Sequence, residues 1–181
     1  MFFNIFYYQD NISKRPTEDV KIENENLERL SESNYFEDVE YKGIDANGNR
    51  YLLQSSVATF REDKPELVNM TGMNATFYFK DGKVLKVSGD KGTYNNKSND
   101  MEFRENVIVV QADNRIFADN LDYFNLKRLI KVYGNVEGKS LDGNFSSDVL
   151  DLDIDSQSVD FLMNSSEQVK INLNKWKKAS E

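Results

Sequence analysis

An internal repeat of 29 residues, between positions 87 and 165, most constrains what this chain can fold into. When the segments that begin at Val87, Ile116 and Phe145 are aligned, small, acidic, apolar and amide positions recur in one register without a gap. Such a period indicates a supersecondary unit that buries its apolar face only by stacking on its neighbours. The repeat columns are Gly89, Ala118 and Ser147; Asp90, Asp119 and Asp148; Tyr94, Tyr123 and Leu152; Met101, Ile130 and Val159; Phe103, Val132 and Phe161; and Asn106, Asn135 and Asn164.

Each repeat predicts two strands joined by a polar turn. Met101 and Phe103 lie two residues apart, which is the period of a strand, and their counterparts keep that spacing. Upstream of the repeats, Asn47-Gly48 and Asp81-Gly82 are strong hairpin signals. No helical period of any length follows residue 35, so the sequence predicts an all-β chain. The predicted turns of the repeats are residues 95–100, 125–128 and 153–158.

The Asp and Asn columns allow two interpretations. Three aspartates at regular spacing could form a calcium-binding array, but one carboxylate per repeat does not supply the six to eight oxygens that Ca²⁺ requires. The alternative is that each Asp caps or bends its strand by accepting hydrogen bonds from backbone N–H groups beside a small residue, and that each Asn occupies a bulge or turn. We favour the second interpretation, in which both columns shape the backbone.

The composition excludes several classes of function. The 181 residues carry a formal net charge of −8, with no cysteine and no histidine. No block of Lys and Arg offers the basic face that a nucleic acid requires. The missing residue types rule out disulfides, Cys-based zinc sites and Ser-His-Asp catalysis. We therefore expect a non-catalytic protein that uses no metal and no cofactor and binds no nucleic acid.

The chain divides by composition into four predicted parts. Residues 1–8 are apolar and aromatic but shorter than the roughly 20 residues of a membrane span. We interpret them as the end of a truncated N-terminal transmembrane segment, with its aromatics at the membrane interface, and a short exposed hydrophobic start is the alternative. Residues 9–34 form a polar acidic linker, residues 35–173 the β domain, and residues 174–181 a C-terminal tail.

The residues of the repeat resemble a known family. A small residue and Asp, then Tyr four positions later, a polar turn, and alternating apolar residues that end at Asn-Val resemble the repeat of OstA-like lipopolysaccharide transport proteins. Upstream, residues 48–57, then Leu67 and residues 76–79, resemble the opening of the LptC family in particular. The resemblance covers about residues 35–173.

The resemblance implies a fold, a ligand and partners. The fold is a twisted β-jelly roll of two facing antiparallel sheets, with a hydrophobic groove that shelters the lipid A acyl chains of lipopolysaccharide. A single-pass anchor would hold the protein in the inner membrane, with the domain in the periplasm. The LptBFG transporter would dock at the N-terminal edge, and LptA would add a strand at the C-terminal edge. An unpaired sheet edge suits such β-augmentation.

Alternation and the repeat columns predict which residues carry this function. Tyr94 and Tyr123 are expected at the rim of the groove. The predicted C-terminal partner edge consists of Val169, Ile171 and Leu173. The other groove candidates are Tyr41, Leu53, Phe77, Phe79, Met101, Phe103, Ile130, Val132, Val159 and Phe161.

Three alternatives stay open at the level of sequence. The chain could be a soluble LptA-like periplasmic protein, which a signal peptide would indicate. It could be a structural β-repeat protein with a filled core and no ligand. It could also be a glycan hydrolase, for which two facing carboxylates in a cleft would be needed.

Overall fold

The structure is a computed structural model that describes residues 33–154, 156, 158–163 and 168–174. The predicted transmembrane end, nearly all of the linker, Asn164 and residues 175–181 of the tail lie outside these ranges. The described residues form ten strands: β1 (Ser33–Ile44), β2 (Arg50–Arg61), β3 (Lys64–Tyr78), β4 (Val84–Asn95), β5 (Met101–Gln111), β6 (Asn114–Phe124), β7 (Leu129–Lys139), β8 (Gly143–Asp153), β9 (Ser158–Leu162) and β10 (Lys170–Leu173).

Strands β1 to β8 pair in sequence order, each antiparallel to the next, and both β9 and β10 pair with β8. The predicted hairpin turns after β1 and β3 contain Gly48 and Gly82 at φ values of 77° and 84°, which glycine adopts without strain. The first two predicted repeat turns join β4 to β5 and β6 to β7, as expected. The all-β prediction is confirmed, and no described residue belongs to a helix that could cross a membrane.

The long strands bend near their centres, so that each contributes to two layers. Pairing is interrupted at matched positions along the strands, for example between Ser88 and Lys91 of β4 and between Phe117 and Asn120 of β6. Layer 1 comprises residues 39–44, 50–54, 73–78, 84–88, 107–111, 114–118, 136–139, 144–147 and 170–173. Layer 2 comprises residues 33–37, 57–61, 64–71, 91–95, 101–104, 120–124, 129–133, 149–153 and 158–162.

The two layers face each other across a common core, which is the predicted two-sheet jelly roll. Tyr41 of layer 1 packs on Tyr94 of layer 2 with ring centroids 5.3 Å apart, although β1 and β4 are not neighbours. Phe77 of layer 1 meets Tyr123 of layer 2 at 5.2 Å in the same way. The bends therefore turn one continuous ladder into two packed sheets.

The Asp and Asn columns lie at these bends. Asn106 and Asn135 adopt positive φ values of 51° and 52°, which Asn tolerates better than most residues. The side-chain amide of Asn106 donates to Asp90 at 2.6 Å, and that of Asn135 donates to Asp119 at 2.7 Å. The interpretation that both columns shape the backbone is confirmed for these two repeats, with the Asn side chain as the donor where we expected backbone N–H groups.

The apolar repeat columns become rows that cross the strands. In layer 2 the two columns that start at Tyr94 and Met101 interleave into one row, because direct pairing alternates between them from β4 to β9. The column that starts at Phe103 belongs to the next row, nearer the bends. Such cross-strand rows make a continuous core wall. The first row is Tyr94, Met101, Tyr123, Ile130, Leu152 and Val159.

Candidate functional site

The interior near the N-terminal strands is filled by aromatic side chains. Tyr51, Phe77, Tyr94 and Tyr123 are each no more than 3% exposed. Tyr41 is half-buried and packs on both Tyr51 and Tyr94. Because these rings come from both layers, they join the sheets and leave this half of the core closed.

The buried tyrosine hydroxyls in this half have hydrogen-bond partners. The Oη atoms of Tyr51 and Tyr94 lie 3.0 Å apart, and Tyr94 donates to Asn99 Oδ1 at 2.8 Å. Burial raises the pKa values of Tyr51, Tyr94 and Tyr123 well above their ordinary range. The hydroxyls therefore stay protonated and serve as donors, so that a polar network is satisfied inside an apolar core.

Asn125 connects the turns above this aromatic half. Its side chain is 4% exposed and accepts from Ala46 N at 2.8 Å, which links the β1–β2 turn of layer 1 to the β6–β7 turn of layer 2. Its Nδ2 donates to the carbonyl of Ser98 at 2.9 Å, and its backbone N donates to Asp100 Oδ1 at 2.8 Å. One amide thus ties three turns together. It closes the seam, which is the gap between the turn ends of the two layers, at this point.

Towards the C-terminal strands the seam opens into a cavity of about 540 Å³. The size lies within the range of known small-molecule pockets. Its mouth carries polar side chains from the turns, among them Asn47, Lys80 and Gln111. Its walls come from both layers and are apolar: Phe79, Leu85, Val109, Ile116, Ile130, Val132, Leu150, Leu152 and Ile154. Such a site suits an apolar ligand with a polar end.

The rows of interior apolar residues end at β9 and β10, where their last side chains are uncovered. Val159, the last residue of the layer 2 row, is 40% exposed. Ile171 lies directly opposite Phe145 and therefore on the inner face of layer 1, yet it is 56% exposed. Leu173 follows on the same face at 75% exposed. The apolar interior thus continues to the edge of the domain, where nothing in the described residues covers it.

Comparison with known proteins identifies the family. Residues 4–166 match the family described as "Lipopolysaccharide-assembly, LptC-related". The chain belongs to the LptC-related family. Among solved structures, it is similar to LptH, "the LptA homologous periplasmic component of the conserved lipopolysaccharide transport device from Pseudomonas aeruginosa". The two share 11% identity with a TM-score of 0.54, over 68% of this chain and 94% of that one, so the likeness concerns the fold. No curated protein matches the sequence.

The LptC-related structure places most predicted groove residues in one core. Leu53, Met101 and Phe103 are fully buried, and Phe77, Ile130 and Val132 are nearly so. Tyr41, Phe79 and Phe161 are half-buried against the same core. Only Phe79, Ile130 and Val132 of the predicted set line the cavity.

Three predicted groove residues differ in position from expectation. Tyr94 and Tyr123, expected at the rim, lie in the interior and are each 3% exposed. Asn99 and Asn125 accept the hydrogen bonds of their hydroxyl groups, which reduces the free-energy cost of burying them. Val159, expected within the groove, is 40% exposed at the uncovered end. At the predicted partner edge, Ile171 and Leu173 belong to β10, and Val169 directly precedes it.

Sequence reasoning missed several cavity residues, although the repeat contains some of them. Val87, Ile116 and Phe145 form a repeat column of their own, and Ile116 lines the cavity. Leu121 and Leu150 are 29 residues apart, and Leu150 lines it as well. The period alone could have supplied both residues, whereas Leu85 and Val109 carry no signal beyond strand alternation.

Proposed function

We propose that this domain carries lipopolysaccharide across the periplasm as part of a protein bridge, with acyl chains held in the cavity between the two layers. The observation that carries the proposal is an apolar cavity of about 540 Å³ with a polar mouth, in a chain of the LptC-related family. Covering such walls with a lipid chain removes apolar surface from water, at about 25 cal/mol per Å². The polar mouth suits the sugars that must remain in solvent.

The proposal assigns the two edges of the sheet to two partners. The LptBFG transporter supplies lipopolysaccharide at the N-terminal edge, which is formed by β1. LptA receives it at the C-terminal edge, where Ile171 and Leu173 are exposed on β10. A strand added there would continue both the ladder and the apolar trough, because the inner faces of both layers end in uncovered apolar side chains.

The proposal also includes the location of the protein. Residues 1–8 would be the outer end of a single inner-membrane span, residues 9–34 its linker, and the β domain would lie in the periplasm. The aromatic composition of residues 1–8 supports this assignment, since Phe and Tyr at the end of a span suit the membrane interface. The bridge role requires no catalytic step, and we propose that the protein is not an enzyme.

A cavity-filling variant tests the proposed lipid site. Ile116→Trp places a bulky indole ring at this half-buried wall position of layer 1. Purified lipopolysaccharide should displace a fluorescent apolar probe from the native protein, and from Ile116→Trp with about tenfold lower affinity, the equivalent of about two buried methylene groups.

Leu126→Trp is the matched control, since Leu126 is 78% exposed on the β6–β7 turn and takes the same new side chain. It should keep native affinity. Equal affinity of the native protein and Ile116→Trp, with both folded, would show that lipid is not held in this cavity.

A further inference from the structure

The outer face of layer 1 carries a row of basic side chains. Leu85 and Val87, which flank Lys86 in β4, are buried in the core, so the row points to the solvent side of the sheet. The other positions of the row, from β1 to β10, are uncharged. Because the cations come from four different strands, the sequence shows no basic block. The basic members of the row are Lys42, Lys86, Arg115 and Lys139.

Most of the positive charge on this face is not neutralised locally. Within the part of the chain that the structure describes, no carboxylate lies within 4.0 Å of Lys86, Arg115 or the neighbouring Arg50. The first and last cations of the row do have partners, which are Glu40 at 2.8 Å and Glu137 at 4.0 Å. The face therefore presents an excess of positive charge, although the whole chain carries a formal net charge of −8.

The outer face of layer 2 has the opposite character. Arg104 there pairs with both Glu102 and Asp122, and Lys131 pairs with Asp151 at 3.7 Å. The negative charge of the domain is thus concentrated on one outer face and the positive charge on the other. One directly paired row of layer 2, from β5 to β9, consists of Glu102, Asp122, Lys131, Asp151 and Asp160.

An exposed apolar row borders the basic row on the side of the turns. Ile44, Tyr78 and Val84 are 63%, 47% and 37% exposed. Arg50 lies directly opposite both Ile44 and Tyr78, and Tyr78 lies directly opposite Val84. The four residues form one strip across β1 to β4 in which a cation stands among apolar side chains. Cations beside exposed tyrosine and aliphatic residues are typical of surfaces at a membrane interface.

We propose that the outer face of layer 1 binds the surface of a membrane that contains anionic phospholipids. Lys86, Arg115 and Arg50 attract the lipid phosphates, and the strip that contains Tyr78 and Val84 lies at the level of the headgroups. The acidic outer face of layer 2 is held away from the membrane by the same charges. This surface goes beyond the proposed carriage of lipopolysaccharide and does not involve the cavity.

Flotation of the full chain with vesicles tests the proposal. One set of vesicles contains phosphatidylcholine alone, and the other contains about one-third phosphatidylglycerol, which supplies the negative surface. At low ionic strength, Lys86→Gln/Arg115→Gln should lower partition onto the anionic vesicles by roughly thirtyfold and leave partition onto phosphatidylcholine unchanged. Residues 1–8 are the same in every variant, so any binding through them cancels in this comparison.

Lys91→Gln/Lys131→Gln is the matched control, because it makes the same change of net charge on the outer face of layer 2. It should keep the native partition onto both kinds of vesicle. Thermal unfolding of the two double variants establishes that both are folded.

A fluorophore reports which face meets the membrane. The chain contains no cysteine, so Val84→Cys accepts a single polarity-sensitive label. Its emission should shift to shorter wavelength on anionic vesicles, and high salt should reverse the shift because it screens the attraction. The same label on Asn69→Cys, at an exposed position on the outer face of layer 2, should show no shift.

Unchanged partition of Lys86→Gln/Arg115→Gln, or an equal loss in the control, would overturn the proposal. The displacement assay with lipopolysaccharide decides separately whether the cavity holds lipid. If the native protein shows no preference for anionic vesicles but self-associates at low salt, the basic face meets the acidic face of a second copy. If it binds soluble polyglutamate but not anionic vesicles, the face takes an acidic protein. Either result would also disprove the membrane surface.

Discussion

The side-chain amide of Asn135 donates a hydrogen bond of 2.7 Å to Asp119, across the bends of β6 and β7. The two residues are 16 positions apart in the sequence, and Asn106 and Asp90 repeat the same bond one repeat earlier. Between them they mark the line along which the ladder folds into two layers. The most regular polar signal of the sequence thus marks the line along which the strands bend. The cavity lies on the concave side of that bend.

Asn135→Ala should lower the free energy of unfolding by about 1–2 kcal/mol. Asn135 has a φ of 52°, a conformation that costs alanine about that much. Asn135→Gly is the matched control, because it also loses the hydrogen bond but adopts positive φ freely. Urea unfolding of both variants measures the difference. Equal destabilisation by Ala and Gly would show that the backbone conformation is not what the Asn column supplies.

Asn125→Ala should destabilise the fold by about 3 kcal/mol, since it removes the partner of three groups: the Ala46 N–H, the Ser98 carbonyl and the Tyr123 hydroxyl. Asn96→Ala is the control from the same repeat column, 29 residues earlier, where the side chain makes one hydrogen bond to the carbonyl of Pro65. It should cost about 1 kcal/mol. Denaturant midpoints at constant pH measure both. A similar loss for both variants would argue against a special role of Asn125 in closing the seam.

The stability of the domain should fall as the pH rises above about 10. Burial raises the pKa values of Tyr51, Tyr94 and Tyr123 above their ordinary value of 10.0. In the unfolded chain these groups lose their protons near pH 10, whereas the folded chain retains them. Unfolding then releases protons, and each tyrosine lowers stability by at most about 1.4 kcal/mol per pH unit. Below pH 10 the three groups add no pH dependence.

Urea midpoints measured across this alkaline range test the prediction. Tyr123→Phe should reduce the slope, because one titrating group is removed from the core. Tyr78→Phe serves as the comparison, since Tyr78 is 47% exposed on the outer face of β3. The same slope in the native protein and Tyr123→Phe would contradict the account of the buried hydroxyl.

Charge placed on β10 should weaken the proposed association with LptA. Leu173→Asp puts a carboxylate on the exposed inner face of the edge strand, and Ile171→Pro removes a backbone donor from it. Each should lower the affinity for purified LptA by about tenfold in a surface-binding assay, as charged or proline-containing edges resist pairing. Leu126→Asp carries the same charge far from this edge in the ladder and should bind normally. Full affinity of both edge variants would contradict the proposal that LptA binds at β10.

Much of the architecture follows from the sequence because the repeat has a physical cause. Columns 29 residues apart face the same side of equivalent strands, so Tyr94, Tyr123 and Leu152 had to share one wall. The turns could be predicted from Asn-Gly and Asp-Gly, since these dipeptides adopt positive φ at low cost. The long hairpin of β2 and β3 was harder to predict, because residues 62–63 form a tight turn without glycine.

The division of the interior into a closed and an open half could not be predicted from the columns. Tyr123 and Ile130 occupy adjacent positions of one row, yet one joins the aromatic core and the other lines the cavity. The difference arises from what the opposite layer presents, which is Phe77 facing Tyr123. Cross-layer contacts depend on how the sheet folds over, and alternation along a strand carries no information about them.

Site-specific photo-crosslinking from Leu152 tests the central claim most directly. Leu152 lies in the cavity wall next to Ile130, and a photoreactive residue there should label lipopolysaccharide in membranes that contain the LptBFG transporter and ATP. The same residue at Lys97, on the exposed β4–β5 turn, reports background labelling. We expect strong labelling from Leu152 that depends on ATP. Labelling from Leu152 no stronger than from Lys97 would contradict the proposal that acyl chains travel between the two layers.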